Sequence, residues 1–281
     1  MDPVLQGSIE ICKVIQRALD TEEGALIGRN GTIELEQMIS FNKNRLTILE
    51  TNAGIFPFTI VEKWRSQSID ATKQADILAT GWYNLLKELE QIFLKNNKCK
   101  AIQIPLRSLE PYYVPFKNMW TTILSGHSVS VVSCFTKTMA SQVVKMNDIW
   151  PSLYVLPSDI KWNWVQTGHA PSVADGINEW PSDITNSLEA VDYIVSEVVK
   201  QGSRFALIGC GGIGMLVGLK LKERGVIAIV LGGAIQVLFG IKGQRWITHP
   251  IISKFWNDHW VFPSEDETPG KAKSIEYGCY W

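Results

Sequence analysis

Ala206-Leu207-Ile208-Gly209-Cys210-Gly211-Gly212-Ile213-Gly214 ends an apolar, strand-like run and opens a helix-like one. It reads as strand, glycine turn, helix. Glycines at such a junction let the backbone approach a ligand closely, and the free N–H groups and positive dipole end of the next helix suit a phosphate or diphosphate. Gly209, Gly211 and Gly214 also carry the G-x-G-x-x-G spacing of a dinucleotide fingerprint.

The flanking sequence repeats the alternation. Ser187 to Lys200 has helical periodicity, Phe205 to Ile208 is the strand, Met215 to Arg224 a second helix and Val226 to Leu231 a second strand. Towards the N-terminus, Val129 to Ser133 is a strand leading through Cys134-Phe135-Thr136-Lys137 into a helix around Met139 to Met146. Tyr154 to Leu156 is read as a further strand and Lys161 to Pro181 as irregular. Ala101 to Ile104 is a strand stopped by Pro105, and helical patterns cover Phe58 to Ser66 and Ala71 to Leu94. At the start, Ile9 to Leu19 is helical and Ala25-Leu26-Ile27 is a strand ending at Gly28. Thr32 is placed as N-cap of a helix from Ile33 to Phe41.

Strands alternating with helices predict an α/β fold: a Rossmann-like, mostly parallel sheet with helices on both faces. Residues 1–281 read as a single domain whose segment 240–281 is loop-rich. In open α/β sheets ligands bind beyond the carboxyl ends of the strands. Three turns meet that description, Gly28 to Thr32, Ser133 to Lys137 and Gly209 to Gly214, and are expected to converge on one cleft.

Composition narrows the partners. The 281 residues carry 27 Lys and Arg against 28 Asp and Glu, a formal net charge of −1. That leaves no general electrostatic drive toward nucleic acid or an anionic membrane, so any basic cluster must act locally. Five scattered cysteines without CxxC spacing indicate neither a disulfide framework nor a zinc site. No apolar run is long enough to span a bilayer, and charges at Asp2, Glu10, Lys13 and Arg17 interrupt any leader pattern, so the expected location is cytoplasmic. Trp162, Trp164, Trp180, Trp246, Trp256 and Trp260 gather in the second half, where aromatic faces suit a sugar or plain packing.

A nicotinamide or flavin site needs an acid near the end of the strand after the glycine helix, to hold a ribose hydroxyl. Leu231-Gly232-Gly233 supplies none. A methyltransferase site meets the same absence, which weakens the NAD(P)- and S-adenosylmethionine-dependent alternatives. Close packing of helix on strand also accounts for such glycines.

Arg29-Asn30-Gly31-Thr32-Ile33-Glu34 resembles the R-F-G-D-G-E motif of glycosyltransferases with the GT-D fold. The run Gly232-Gly233-Ala234-Ile235-Gln236 to Gly240-Ile241-Lys242-Gly243-Gln244-Arg245-Trp246 is similar to one in bacterial polysaccharide-locus proteins. The resemblance extends from about Gly24 to Trp281 and implies a GT-D-type fold, a nucleotide-sugar donor, a glycan acceptor and an Asp-x-Glu pair near a divalent metal (Mn2+ or Mg2+). The chain departs from it at Thr32, which stands where the family has Asp, and at Gly233 and Ile235, where relatives carry His and Asp. Thr is a poor ligand for a hard divalent ion, which argues against metal dependence.

Transfer from a nucleotide sugar needs a diphosphate cradle, charge on the leaving group and, for inversion, a base. The expected cradle is Gly209, Gly211, Gly212 and Gly214 with Ser133 and Thr136 hydroxyls and the Arg29, Gly31, Thr32, Gly233 and Gln236 segments. Lys242 and Arg245 are the expected neutralising cations, or a solvated basic loop. Glu34 is the first candidate base, with helix capping as its other reading, and Asp258 and His249 are reserves. His169 reads as a surface-loop histidine and Glu265-Asp266-Glu267 as a solvated turn. A non-catalytic glycan-binding role stays open beside the enzyme reading.

Overall fold

In a computed structural model that describes residues 1–281, seven strands form one fully parallel sheet in the order β3-β2-β1-β7-β6-β4-β5. The strands are β1 (Ala25–Arg29), β2 (Ile77–Ala79), β3 (Ile102–Ile104), β4 (Ser128–Ser133), β5 (Lys161–Gln166), β6 (Phe205–Gly209) and β7 (Ile227–Val230). The central ones read as unbroken apolar runs because both faces are covered. The helices are α1 (Pro3–Asp20), α2 (Thr32–Ile39), α3 (Leu46–Ala53), α4 (Val61–Gln74), α5 (Lys87–Asn96), α6 (Thr136–Gln142), α7 (Met146–Ile149), α8 (Pro171–Ala174), α9 (Ser187–Lys200), α10 (Gly214–Lys222) and α11 (Ile235–Leu238). The α/β, Rossmann-like architecture is therefore the one the alternation predicts.

Two apolar cores lie on opposite faces. Ile11, Val14 and Ile15 of α1, Met139 of α6 and Ile235 and Leu238 of α11 pack on one face. Leu35 and Met38 of α2, Trp64 of α4, Ile194 of α9 and Val217 of α10 pack on the other. This division creates the site. β1 and β7 are adjacent, with Ala25 opposite Ile227 and Ile27 opposite Ile229, yet the chain leaves β1 towards α2 on one face and β7 towards α11 on the other. The connections splay apart and open a crevice at the carboxyl ends, the topological switch point of an open α/β sheet.

Several expectations are corrected. The helical pattern from Ala71 to Leu94 is interrupted by β2, a three-residue strand with no room to show alternation. Tyr154 to Leu156 forms no strand; the fifth strand is β5, inside the stretch read as irregular, where Trp162 and Trp164 alternate with Asn163. β5 and β3 are the edge strands. Thr32 is the first residue of α2, and the N-cap is Gly31, which has no side chain to cap with. Glu267 is fully buried rather than solvated: its carboxylate accepts from the Lys137 and Thr138 amides at 2.8 and 3.0 Å, capping α6 from the far end of the chain.

Candidate functional site

The crevice is a cavity of about 430 Å³ lined from every strand end between β2 and β5, inside the size range of small-molecule sites. Of the residues singled out from the sequence, Arg29, Gly31, Thr32, Glu34, Ser133, Gly209, Gly211, Gly233, Gln236 and Arg245 line it. The three predicted turns thus meet.

The others stand elsewhere. Gly212 abuts Ala53 and Ile55 and its carbonyl accepts from Trp64 Nε1 at 2.9 Å, while Gly214 is pressed against Val230. Thr136 is buried and donates to Gln166 Oε1. Lys242 extends over the Trp256 and Phe262 rings at 5.5 and 5.9 Å, held there because its amide pairs with Val261. His249 sits against Arg107, with Nε2 3.1 Å from the guanidinium and Nδ1 accepting from the Ile252 amide. Burial and Arg107 hold its pKa below the usual histidine range. Asp258 is exposed in the turn before Trp260. The six gathered tryptophans also stay out of the lining: Trp162 and Trp164 stack at 5.8 Å and pack on Phe239, and Trp180 backs Gly168 from behind.

The fingerprint glycines answer first to the chain's own packing. A Cβ on Gly209 would meet Ile235 Cγ2 at 2.5 Å, and one on Gly211 would meet the Ala53 carbonyl oxygen at 2.7 Å. Gly211 also has φ +61°, the left-handed region that disfavours any side chain. Gly211→Ala is expected to lose roughly 2–3 kcal/mol of stability, from backbone strain plus collision with a fixed carbonyl. Urea unfolding of the variant against wild type measures it.

The opposite lip is more open in chemistry. Arg29, at the end of β1, lays its guanidinium over the Trp82 ring at 4.6 Å and beside Gly232, where a Cβ would come within 3.2 Å. Gly232 has φ +59°. The guanidinium is half-buried and makes no ion pair, whereas Arg245 across the cavity is paired with Glu276 and stacked on Tyr280 at 4.2 Å. Glu34, in the first turn of α2, folds its carboxyl back over Gly31, the close approach that glycine permits. Burial raises the Glu34 pKa; its own amide and Arg29 pull it down, and Glu276 adds to the rise.

Sequence reading missed several lining residues: Trp82, Asn52, His169, Glu276, Tyr280 and Trp281. His169 is not a surface residue; burial pushes its pKa down to about 4, so the ring is neutral, and its Nε2 is enclosed without a partner. Gln236, fully buried, donates to the Tyr280 carbonyl at 2.9 Å and leaves Oε1 unpartnered. Both residues line the cavity, but these two atoms are enclosed by the protein's own atoms rather than open to it. The Cys134 and Cys210 thiols also line the cavity, and burial raises both, Cys210 to about 12, so neither is a thiolate nucleophile at neutral pH.

The two lining carboxylates are Glu34, whose charged form is disfavoured, and Glu276, already engaged by Arg245. No three His, Cys, Asp or Glu side chains come together anywhere as a ligand set. No helix is long and apolar enough to cross a membrane.

Neither a protein-family model nor a curated protein matches the chain. Two solved structures of domain of unknown function 1792 are similar in architecture. One, a selenomethionine-substituted structure, is 14% identical with a TM-score of 0.45, covering 83% of this chain and 82% of that one. The other, described as showing that this highly conserved domain has a distinct glycosyltransferase fold, is 14% identical with a TM-score of 0.45, covering 82% and 80%.

Proposed function

We propose that this chain is a glycosyltransferase that binds a nucleotide sugar, a UDP-sugar first, in the β1/β7 crevice and passes the sugar to a glycan acceptor in polysaccharide or glycoconjugate synthesis. The observation that carries the reading is Arg29: a half-buried guanidinium with no carboxylate partner, braced on Trp82 at the switch point beside a left-handed glycine. Its planar fork matches a diphosphate.

In this scheme the bond between the sugar's anomeric carbon and the β-phosphate oxygen breaks, and a bond forms from the acceptor hydroxyl oxygen. The hydroxyl proton passes to the ionised Glu34 carboxylate, whose raised pKa makes it a stronger base than an ordinary glutamate. The departing diphosphate places its charge on Arg29, and on Arg245 once Glu276 is displaced. No step is routed through a metal. The NAD(P) and S-adenosylmethionine alternatives draw no support from the crevice, since β7 ends in Leu231-Gly232-Gly233 with no acid for a ribose.

Thermal shift and calorimetry with UDP-, GDP- and dTDP-sugars, with and without Mn2+, test the reading. At a hundredfold excess over Kd, the cognate sugar nucleotide is expected to raise Tm by roughly 5 °C. Stabilisation by NAD(P) or S-adenosylmethionine, or by none of the panel, overturns it.

A further inference from the structure

α5 is apolar on two sides. Phe93 and Leu94 face the core, while Leu89 and Ile92 on the helix and Leu85 in the turn before it point outward, 48%, 56% and 78% exposed. Their spacing of i, i+4 and i+7 makes one continuous outer stripe. Isolated exposed aliphatics are ordinary, but an aligned row of three is a surface that wants a cover.

Beside this stripe lie Lys95 on the helix and Lys98 and Lys100 in the segment leading to β3, whereas Lys87 lies on the other side of the helix against Gly81; all are exposed and none is in an ion pair within the chain. The segment's acids do not offset them: Glu90 is buried and accepts from the Gly81 amide at 2.7 Å, which leaves Glu88 as the one exposed carboxylate. In a chain whose formal net charge is −1, three unpaired lysines beside an outward apolar stripe are a local concentration of positive charge. Tyr83, at the head of the stripe, is exposed beside Trp82, and both line the cavity mouth.

We infer that this face is a membrane-docking surface: Leu85, Leu89 and Ile92 enter the headgroup boundary of an anionic bilayer while Lys95, Lys98 and Lys100 meet lipid phosphates, with the crevice mouth held at the lipid surface. The chemistry is that of an interfacial amphipathic helix with basic flanks, and Tyr83 has the amphipathic ring suited to the same depth. The stripe stands on a convex helix rather than in a groove, which favours a deformable lipid surface over a protein partner, and the unpaired lysines give the charge complementarity an anionic leaflet needs. The inference is independent of the donor: it concerns where the protein sits, and is read without any sugar nucleotide.

Co-sedimentation of the intact chain with phosphatidylcholine vesicles, with and without phosphatidylglycerol, tests it. Binding is expected only to the anionic vesicles and weakens as salt is raised. Replacing Lys95, Lys98 and Lys100 together with Gln is expected to weaken it at least about tenfold. Leu89→Asp with Ile92→Asp abolishes it, while the chain still unfolds in one cooperative transition, because only about half of each side chain is covered. Failure of the wild-type chain to bind anionic vesicles, or undiminished binding by both variants, overturns the inference. So does light scattering showing that the stripe is covered by a second copy of the chain and that the Asp variant converts a dimer to a monomer.

Discussion

Glu34→Gln is expected to lower the turnover of sugar transfer by about 100- to 10,000-fold, the usual contribution of a positioned general base, while nucleotide binding stays within about threefold of wild type. The same substitution is expected to stabilise the protein at neutral pH. Glu34's pKa is raised in the fold, principally by burial, so its protonated form is the one the fold prefers. The stability this contributes is fully present below the unfolded glutamate value of about 4.3 and is lost as pH rises through the folded pKa. Gln mimics the protonated side chain and escapes the loss. Melting curves of variant and wild type therefore coincide near pH 4 and separate above it, with the variant the more stable. Wild-type turnover rises over the same interval as the carboxyl ionises. A variant that keeps full turnover removes Glu34 from the chemistry; one that gains no stability at neutral pH removes the physical basis for its basicity.

Arg29→Ala is expected to weaken UDP binding by about 10- to 100-fold, the worth of charge-assisted hydrogen bonds to a desolvated diphosphate. Arg29→Lys should fall between, since it keeps the charge and loses the fork. The fold should barely notice either, because Arg29 has no ion pair to break; it gives up its stacking on Trp82, about 0.5–1 kcal/mol at a partly exposed site, and its charge near the Glu34 carboxyl. Calorimetry with UDP separates this outcome from a purely structural arginine, for which affinity would hold while Tm fell.

Arg29 and Glu34 were legible because both sit in a strand-turn-helix unit that local patterning exposes: an apolar Ala25-Leu26-Ile27, a glycine, then helical spacing. The β6 turn was legible for the same reason. β2 and β5 were not. A three-residue strand behind α4 carries no period of its own, and the tryptophans of β5 masked the alternation of an edge strand with one face on Phe239. The missed half of the cavity wall has a different cause. Trp82 reaches it because β2 is laid beside β1, and His169 because the chain turns back after β5. Glu276, Tyr280 and Trp281 arrive through a segment fastened by buried Glu267 and by Trp281 Nε1 donating to the Glu267 carbonyl at 3.1 Å. Those placements depend on strand order and on a distant cap, which no window of sequence contains. Lys242 and Arg245, three residues apart, show the limit from the other side: one bridge to Val261 turns the first away and leaves the second on the cavity.

The neighbour of β1 at the crevice is β7, about two hundred residues further along the chain. Closing a loop of that length gains nothing until β7 exists and its own neighbours have paired, so this contact is expected to form late in assembly. The nascent chain therefore carries Arg29 and Glu34 through most of synthesis as two side chains on an unfinished sheet edge, with no opposite lip. Binding capacity appears together with the completed sheet rather than ahead of it, so a fragment lacking β7 has strands but no crevice.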